Sequence, residues 1–219
     1  MAKSKKKYGY KLLANNTEWH SSVNKVVSNQ DLNKVRYWEP DMNFMERIRI
    51  LLESAGLFYS EIEKYRIDVK KHNNKNIIVI HFNSRNEKKS LSLKCLEDLI
   101  GYLEEMYDDK IVLLGNGIEI ELLKQRYKES PQIIKAHKLS ELVELLIESK
   151  IFIGVDSFPL HIADSYNTNF LGLFSISDPK SVLVNYQKGI RFSTDSMQKI
   201  TIYDLIPSIQ QFYDNYKTT

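Results

Sequence analysis

Residues 150–179 read KIFIGVDSFPLHIADSYNTNFLGLFSISDP. An apolar run, Ile151 to Val155, stops at the polar pair Asp156–Ser157. A short helical stretch follows from Pro159 to Tyr166, with proline at a position the first helical turn tolerates because its N–H would have no partner there. A second apolar run, Phe170 to Phe174, then ends in serine, aspartate and proline. Neither run alternates polar with apolar residues, so both faces of each strand are expected to be buried. That pattern belongs to a parallel sheet covered by helices.

The same alternation extends upstream and downstream. Further apolar runs occupy Ile77 to His81, Ile111 to Gly115 and Gln132 to Ile134. Between them lie helical stretches: a stripe of Leu93, Leu96, Leu99, Ile100 and Leu103, then Glu119 to Tyr127, then Ser140 to Glu148 with Ser140 as its predicted N-cap. A closing helix is expected over Tyr203 to Tyr216. The reading is one α/β domain, a doubly wound parallel sheet of about five strands over residues 76–219. Before it, residues 41–75 carry a helix with Phe44, Met45, Ile48, Leu51, Leu52 and Ala55 on one face, stopped by Gly56. Residues 1–40 are basic and loop-rich, with one short helix expected near 21–27.

A chain of 219 residues buries a sizeable core without covalent staples. The single cysteine, Cys95, cannot form an intrachain bridge and fits a reducing compartment. The net charge of +3 is concentrated in Lys3, Lys5, Lys6, Lys7 and Lys11. Without those five the balance is 26 basic to 28 acidic residues, which is no footprint for nucleic acid along a folded face. The lysine run reads as a solvated terminus, its second reading being contact with an anionic membrane surface or nucleic acid. No apolar segment follows it as in a secretory signal, and no apolar run approaches the ~20 residues of a membrane span. The expectation is a soluble, cytoplasmic protein.

In a doubly wound sheet, ligands bind at the carboxyl ends of the strands. The loop after Val155 offers Asp156 and Ser157 at a helix start suited to phosphate, with His161 two residues into the helix. The same residues also read as a helix cap and a core histidine. The loop after His81 offers Asn83, Ser84, Arg85, Lys88 and Lys89, a polar cluster suited to a diphosphate or a plain solvated turn. After Ile111 to Gly115, the turn GNG precedes Glu119, an acidic residue where ribose hydroxyls are held in other dinucleotide sites. The stretch is neither a GxGxxG fingerprint nor a P-loop. Asp156, Ser157 and His161 on one loop and helix start do not form a hydrolase triad, and five scattered histidines give no metal-ligand spacing.

Residues 152–179 resemble the DSGPLHLAAALGTPVVALFGPTDP stretch of glycosyltransferase family 9, the lipopolysaccharide heptosyltransferases. HFNSRNEKKSL and LLGNGIEIE resemble that family's lysine-bearing diphosphate segment and its glycine turn with a ribose-binding glutamate. KLSELVELLIESK resembles the segment leading into the first motif, and the Phe44 to Leu57 helix resembles the interdomain region. The resemblance implies the Rossmann-like donor half of a GT-B enzyme, holding a nucleotide-sugar such as ADP-heptose without metal or other cofactor. It implies Asn83, Ser84 and Lys88 on the diphosphate, Glu119 on the ribose, and Asp156, Ser157 and His161 on diphosphate and sugar. Residues His137 to Leu139 would line the base. Three departures stand out: Phe158 replaces a glycine, Ser175–Ser177 replace GPT, and HFN replaces HPG. Only about 75 residues precede the first core strand, too few for the family's acceptor domain. The expectation is therefore a transferase whose acceptor side comes from another polypeptide or a second copy, the alternative being a non-catalytic nucleotide-binding or scaffold module.

Overall fold

The computed structural model of the chain describes residues 8–9, 25–26, 75–115, 118–127, 131–134 and 138–217. The chain divides into two compact units, Met1–Lys64 and Tyr65–Thr219. In the first, β1 (Tyr8–Gly9) pairs in parallel with β2 (Lys25–Val26). Lys25–Val26 are thus extended, although they fall inside the stretch expected to be helical. The expected helix over Phe44 to Ala55 lies outside the described residues.

The second unit holds a six-stranded sheet whose paired strands all run parallel. Its strands are β3 (Lys75–His81), β4 (Lys110–Leu114), β5 (Gln132–Ile134), β6 (Ser149–Val155), β7 (Phe170–Phe174) and β8 (Gly189–Arg191). Their order is β5-β4-β3-β6-β7-β8. The chain builds outward from β3 in one direction, crosses back to β6, and builds outward in the other. This doubly wound, Rossmann-like α/β arrangement agrees with the sequence reading. Five strands were legible; the sixth, the three-residue β8, was not.

Period-two alternation supplies two cores. Ile78, Ile80, Ile151, Ile153, Leu171 and Leu173 pack on one face of the sheet. Val79, Phe152, Phe170 and Phe174 pack on the other. Helices α1 (Leu93–Met106), α2 (Ile118–Arg126) and α6 (Ile202–Lys217) contribute to the first core. Helices α3 (Leu139–Glu148) and α4 (Phe158–Ser165) contribute to the second, and the short α5 (Pro179–Val182) leads into Leu183 there. Burying one such aliphatic side chain stabilises by about 1.5–3 kcal/mol, enough in sum to offset the ordering of the chain.

Local details refine the expected helices. Ser92 caps α1, its hydroxyl accepting from the Cys95 N–H at 3.1 Å. The buried stripe contains Cys95 in place of Leu93, which is exposed. Helix α3 starts one residue before the expected cap, so Ser140 is its second residue. The Glu141 carboxylate instead accepts from the Lys138 N–H at 3.2 Å. Gly115, read as a turn residue, serves a close approach: a Cβ there would lie 2.8 Å from Ile120 Cδ1 in α2. Asn167, with φ 50°, makes the left-handed turn from α4 towards β7, a conformation asparagine adopts more readily than most residues. Among the described residues no helix is long and apolar enough to cross a membrane.

Candidate functional site

The strand order reverses between β3 and β6. Loops leaving neighbouring strands in opposite directions open a crevice at such a point, where ligands bind in sheets of this kind. His81 closes β3 and Asp156–Ser157 follow β6, so both sit on this crevice.

His81 is buried, and its Nδ1 lies 2.9 Å from Ser157 Oγ. The Ser157 hydroxyl donates to the Val155 carbonyl at 3.0 Å. Its proton being so engaged, the consistent assignment puts a proton on His81 Nδ1, which donates to Ser157 Oγ. Burial lowers the His81 pKa to about 4, so the ring is neutral at neutral pH. Ser157 occupies the N-cap position of α4, yet its side chain makes no capping bond. The expected cap is therefore replaced by a contact with the end of β3. The helix also begins one residue earlier than read, at Phe158, with Pro159 second.

Beside this pair, Asp156 is 7% exposed and accepts from Lys89 Nζ at 2.6 Å. His161 Nε2 stands 3.8 Å from the other Asp156 oxygen and is 44% exposed, so it is a surface histidine. A buried carboxylate needs such cationic company, because an unpaired one would be too costly to desolvate. Lys89 is carried by a loop with a 3-10 turn, Glu87–Lys89, which Asn86 caps by accepting from the Lys88 N–H at 3.2 Å. Ser90 Oγ accepts from the Ser84 N–H at 2.9 Å, and the Gln198 amide donates to the Ser90 carbonyl at 3.1 Å.

The structure thus brings Asp156, Ser157 and His161 together. Asn83 and Ser84 are half-buried on the neighbouring loop. Lys88, read from sequence as the diphosphate lysine, is exposed, and the lysine that reaches Asp156 is its neighbour Lys89. The Lys88 carbonyl accepts from Ser175 Oγ at 3.3 Å, beyond the end of β7. Leu139 is the exposed first residue of α3, after β5. Glu119 falls in the first turn of α2, after β4. Residues 116–117 and 135–137 lie outside the described residues. Phe158, at the first position of α4, is 63% exposed.

Two buried polar features in and around the crevice escaped the sequence reading. His81 was read only as the end of a strand, although a polar residue closing an apolar run at the switch point was a usable signal. Asp164, in the last turn of α4, is buried and accepts from the Val184 N–H at 2.7 Å, the Asn185 N–H at 2.9 Å and Asn185 Nδ2 at 2.7 Å. It ties the helix that carries His161 to the segment before β8. Next to the crevice, at the ends of β7 and β8, lies a cleft of about 650 Å³ whose lining includes Ser175, Arg191, Phe192 and Asp195.

Residues 53–199 match glycosyltransferase family 9 (heptosyltransferase). Among solved structures, the E. coli heptosyltransferase WaaC with ADP is similar to the chain with a TM-score of 0.59 at 15% identity. That match covers 76% of this chain and 55% of WaaC, so the chain spans about half the length of that relative. E. coli ADP-heptose lps heptosyltransferase II is similar with a TM-score of 0.67 at 12% identity, over 96% of this chain and 70% of that one. The dodecameric, iron-containing glycosyltransferase TibC from enterotoxigenic E. coli matches with a TM-score of 0.52 at 14% identity, over 68% and 49%. At such identities the structural likeness concerns the fold alone. No curated protein matches this sequence. The family match, in contrast, covers well over half of the chain and takes in every strand end of the crevice: the chain belongs to glycosyltransferase family 9.

Proposed function

We propose that the Tyr65–Thr219 unit binds a nucleotide-diphosphate sugar, ADP-heptose-like, and serves as the donor half of a metal-independent, GT-B-type glycosyl transfer. The acceptor hydroxyl and its base then come from outside the described residues, on another polypeptide or a second copy. The observation that carries this reading is the convergence of Asp156, Ser157 and His161 with the lysine-bearing loop at the switch point of the sheet.

In this reading Asn83, Ser84 and Lys88 hold the diphosphate, Glu119 the ribose and Leu139 the base edge. Departure of the nucleotide leaves new negative charge on the terminal phosphate oxygen. In this reading Lys88, His161 and the positive end of α4 stabilise that charge, which lowers the barrier. Asp156 serves two partners: it neutralises Lys89 and gives His161 a carboxylate to orient against. A cytoplasmic setting accompanies the proposal, supported by the lone buried thiol of Cys95.

Phe158 favours a second reading. An exposed aromatic ring stands where the family has glycine, on the helix start that a diphosphate must approach. If it closes the approach, the unit is a non-catalytic scaffold that has kept the fold.

Melting of the full chain with ADP, UDP, GDP and ADP-sugars separates the two. A nucleotide at 100 times its dissociation constant adds about 2.7 kcal/mol of stability, a rise of roughly 5–10 °C for a domain of this size. No shift with any of them at millimolar concentration would sink donor binding and leave the scaffold. A shift that Phe158→Gly enlarges would identify the ring as a partial block, and one it leaves unchanged would acquit it.

A further inference from the structure

We infer that His81 is a positioning residue of the donor site: it fixes Ser157 so that the serine hydroxyl meets a ligand only as a hydrogen-bond acceptor. This assignment rests on the donor-binding reading above, and it gives a role to a buried side chain that the transfer mechanism leaves unused.

The proton inventory of the serine decides its polarity. A serine hydroxyl has one proton and two lone pairs. Ser157 Oγ lies 3.0 Å from the Val155 carbonyl oxygen and 2.9 Å from His81 Nδ1. If Nδ1 were bare, one proton would face two acceptors, and one of the two contacts would set lone pair against lone pair. With a proton on Nδ1 both contacts are satisfied: Ser157 donates to Val155 and accepts from His81. In either tautomer the hydroxyl proton is spent within the protein. A phosphate oxygen therefore gains nothing from Ser157 Oγ, whereas an O–H of a ligand can donate to its remaining lone pair.

The helix start does not take that lone pair. A serine at an N-cap ordinarily accepts from the N–H of the second or third helical residue. In α4 the second residue is Pro159, which has no N–H, and the Leu160 N–H bonds to the Ser157 carbonyl at 3.0 Å. Ser157 is also held from two sides of the sheet. The N–H of its neighbour Asp156 donates to the Leu173 carbonyl of β7 at 3.2 Å, while His81 holds the side chain from β3. A hydroxyl clamped in this way has given up its rotational freedom before a ligand arrives.

His81 acts by placement and not by proton transfer. Burial lowers its pKa to about 4, so at neutral pH the ring is neutral and a weak base, far from the matched pKa that a general base needs. What it supplies is one neutral N–H at a fixed point. The phosphates are then left to the lysine loop and the start of α4. Ser157 is left to a hydroxyl, which in the donor reading is one on the transferred sugar.

The test reads the tautomer and the ligand preference separately. Long-range proton–nitrogen NMR correlation spectra of the full wild-type chain at neutral pH, assigned with the help of His81→Asn, should show His81 protonated at Nδ1 and bare at Nε2. The opposite tautomer would overturn the inference without any ligand. Affinities are then measured by calorimetry for ADP, GDP and UDP and for ADP-glucose, GDP-mannose and UDP-glucose. The proteins are wild type, Ser157→Ala, His81→Leu and His81→Asn, the last keeping an N–H near the place of Nδ1. Ser157→Ala and His81→Leu should weaken the sugar nucleotide that wild type binds by about tenfold, the worth of one hydrogen bond, and its parent diphosphate by less than about twofold. His81→Asn should restore most of the wild-type difference between the two ligands. A merely structural role for His81 weakens both ligands alike. That outcome, or unchanged affinities in Ser157→Ala, would overturn the inference and leave donor binding intact. Absence of binding by every nucleotide to wild type would overturn both. Should His81→Leu fail to fold, Ser157→Ala and His81→Asn decide the comparison alone.

Discussion

The crevice between β3 and β6 and the cleft beyond β7 and β8 share one edge of one sheet, yet their polar groups live under different physics. In the crevice, His81 and Asp156 are each less than a tenth exposed, and their contacts with Ser157 and Lys89 are short, 2.9 and 2.6 Å. In the cleft, Arg191 and Asp195 are mostly in water and their partners are other surface charges. Buried polar groups must be satisfied, so the crevice is built into the stability of the fold. Exposed ones cost little to rearrange, so the charges of the cleft contribute little to the fold.

The sharpest way to break this comparison is acid. His81 carries a folded-state pKa of about 4 against an ordinary value of 6.5. Because the unfolded chain binds the proton more readily, stability is fully present above pH ~6.5, falls as pH drops, and is lost by about pH 4. The shift corresponds to about 3 kcal/mol. Urea titrations at pH 7 and pH 4.5 should therefore differ more for wild type than for His81→Asn. An equal pH dependence in both would show that the ring is not held neutral by burial.

The buried ion pair gives the next effect. Lys89→Ala leaves Asp156 inside without its cation, which costs up to 3–5 kcal/mol in a fully dry site. Lys89 is a quarter exposed, so water reaches the vacated carboxylate and the expected loss is about 2 kcal/mol. Lys88→Ala, one residue away and fully on the surface, should change stability by under about 0.5 kcal/mol. Equal losses from the two in denaturant titrations would erase the distinction drawn between them.

That pair of lysines also marks where the sequence stops being legible. Apolar runs announce β3, β4, β6 and β7 because burial on both faces leaves no choice of residue. The strand ends they define select the crevice before any side chain is placed. Which of two adjacent lysines turns inward depends on a 3-10 turn capped by Asn86, and no hydrophobic pattern reports that. Gly189–Arg191 is three residues long and only partly buried, too short to show a period, so β8 and the cleft beside it were invisible. Ser157 was singled out from its place after an apolar run, and the structure puts it on the crevice. Its hydroxyl points to His81, a contact spanning 76 residues that only the fold creates.

Gln198 joins the two regions and should show an intermediate effect. Its amide donates to the Ser90 carbonyl at 3.1 Å and, more weakly, to those of Glu87 and Leu91 at 3.4 and 3.5 Å, tying the lysine loop to the segment that borders the cleft. Gln198→Ala removes one good hydrogen bond and two poor ones, an expected loss of about 1 kcal/mol. Faster amide exchange over residues 86–91, with the core strands unchanged, would locate that loss in the loop. Unchanged exchange there would mean that the loop is held by its own turn.

The smallest effect is the most discriminating. Arg191→Ala and Asp195→Ala each remove one partner of an exposed ion pair, and such pairs contribute little to stability. Neither change leaves a buried charge behind, which is what makes Lys89→Ala costly. Both variants should melt with wild type at low ionic strength, and salt should narrow any residual difference because it screens surface charges. A clear drop in melting temperature from either would mean that the cleft, like the crevice, is part of the architecture.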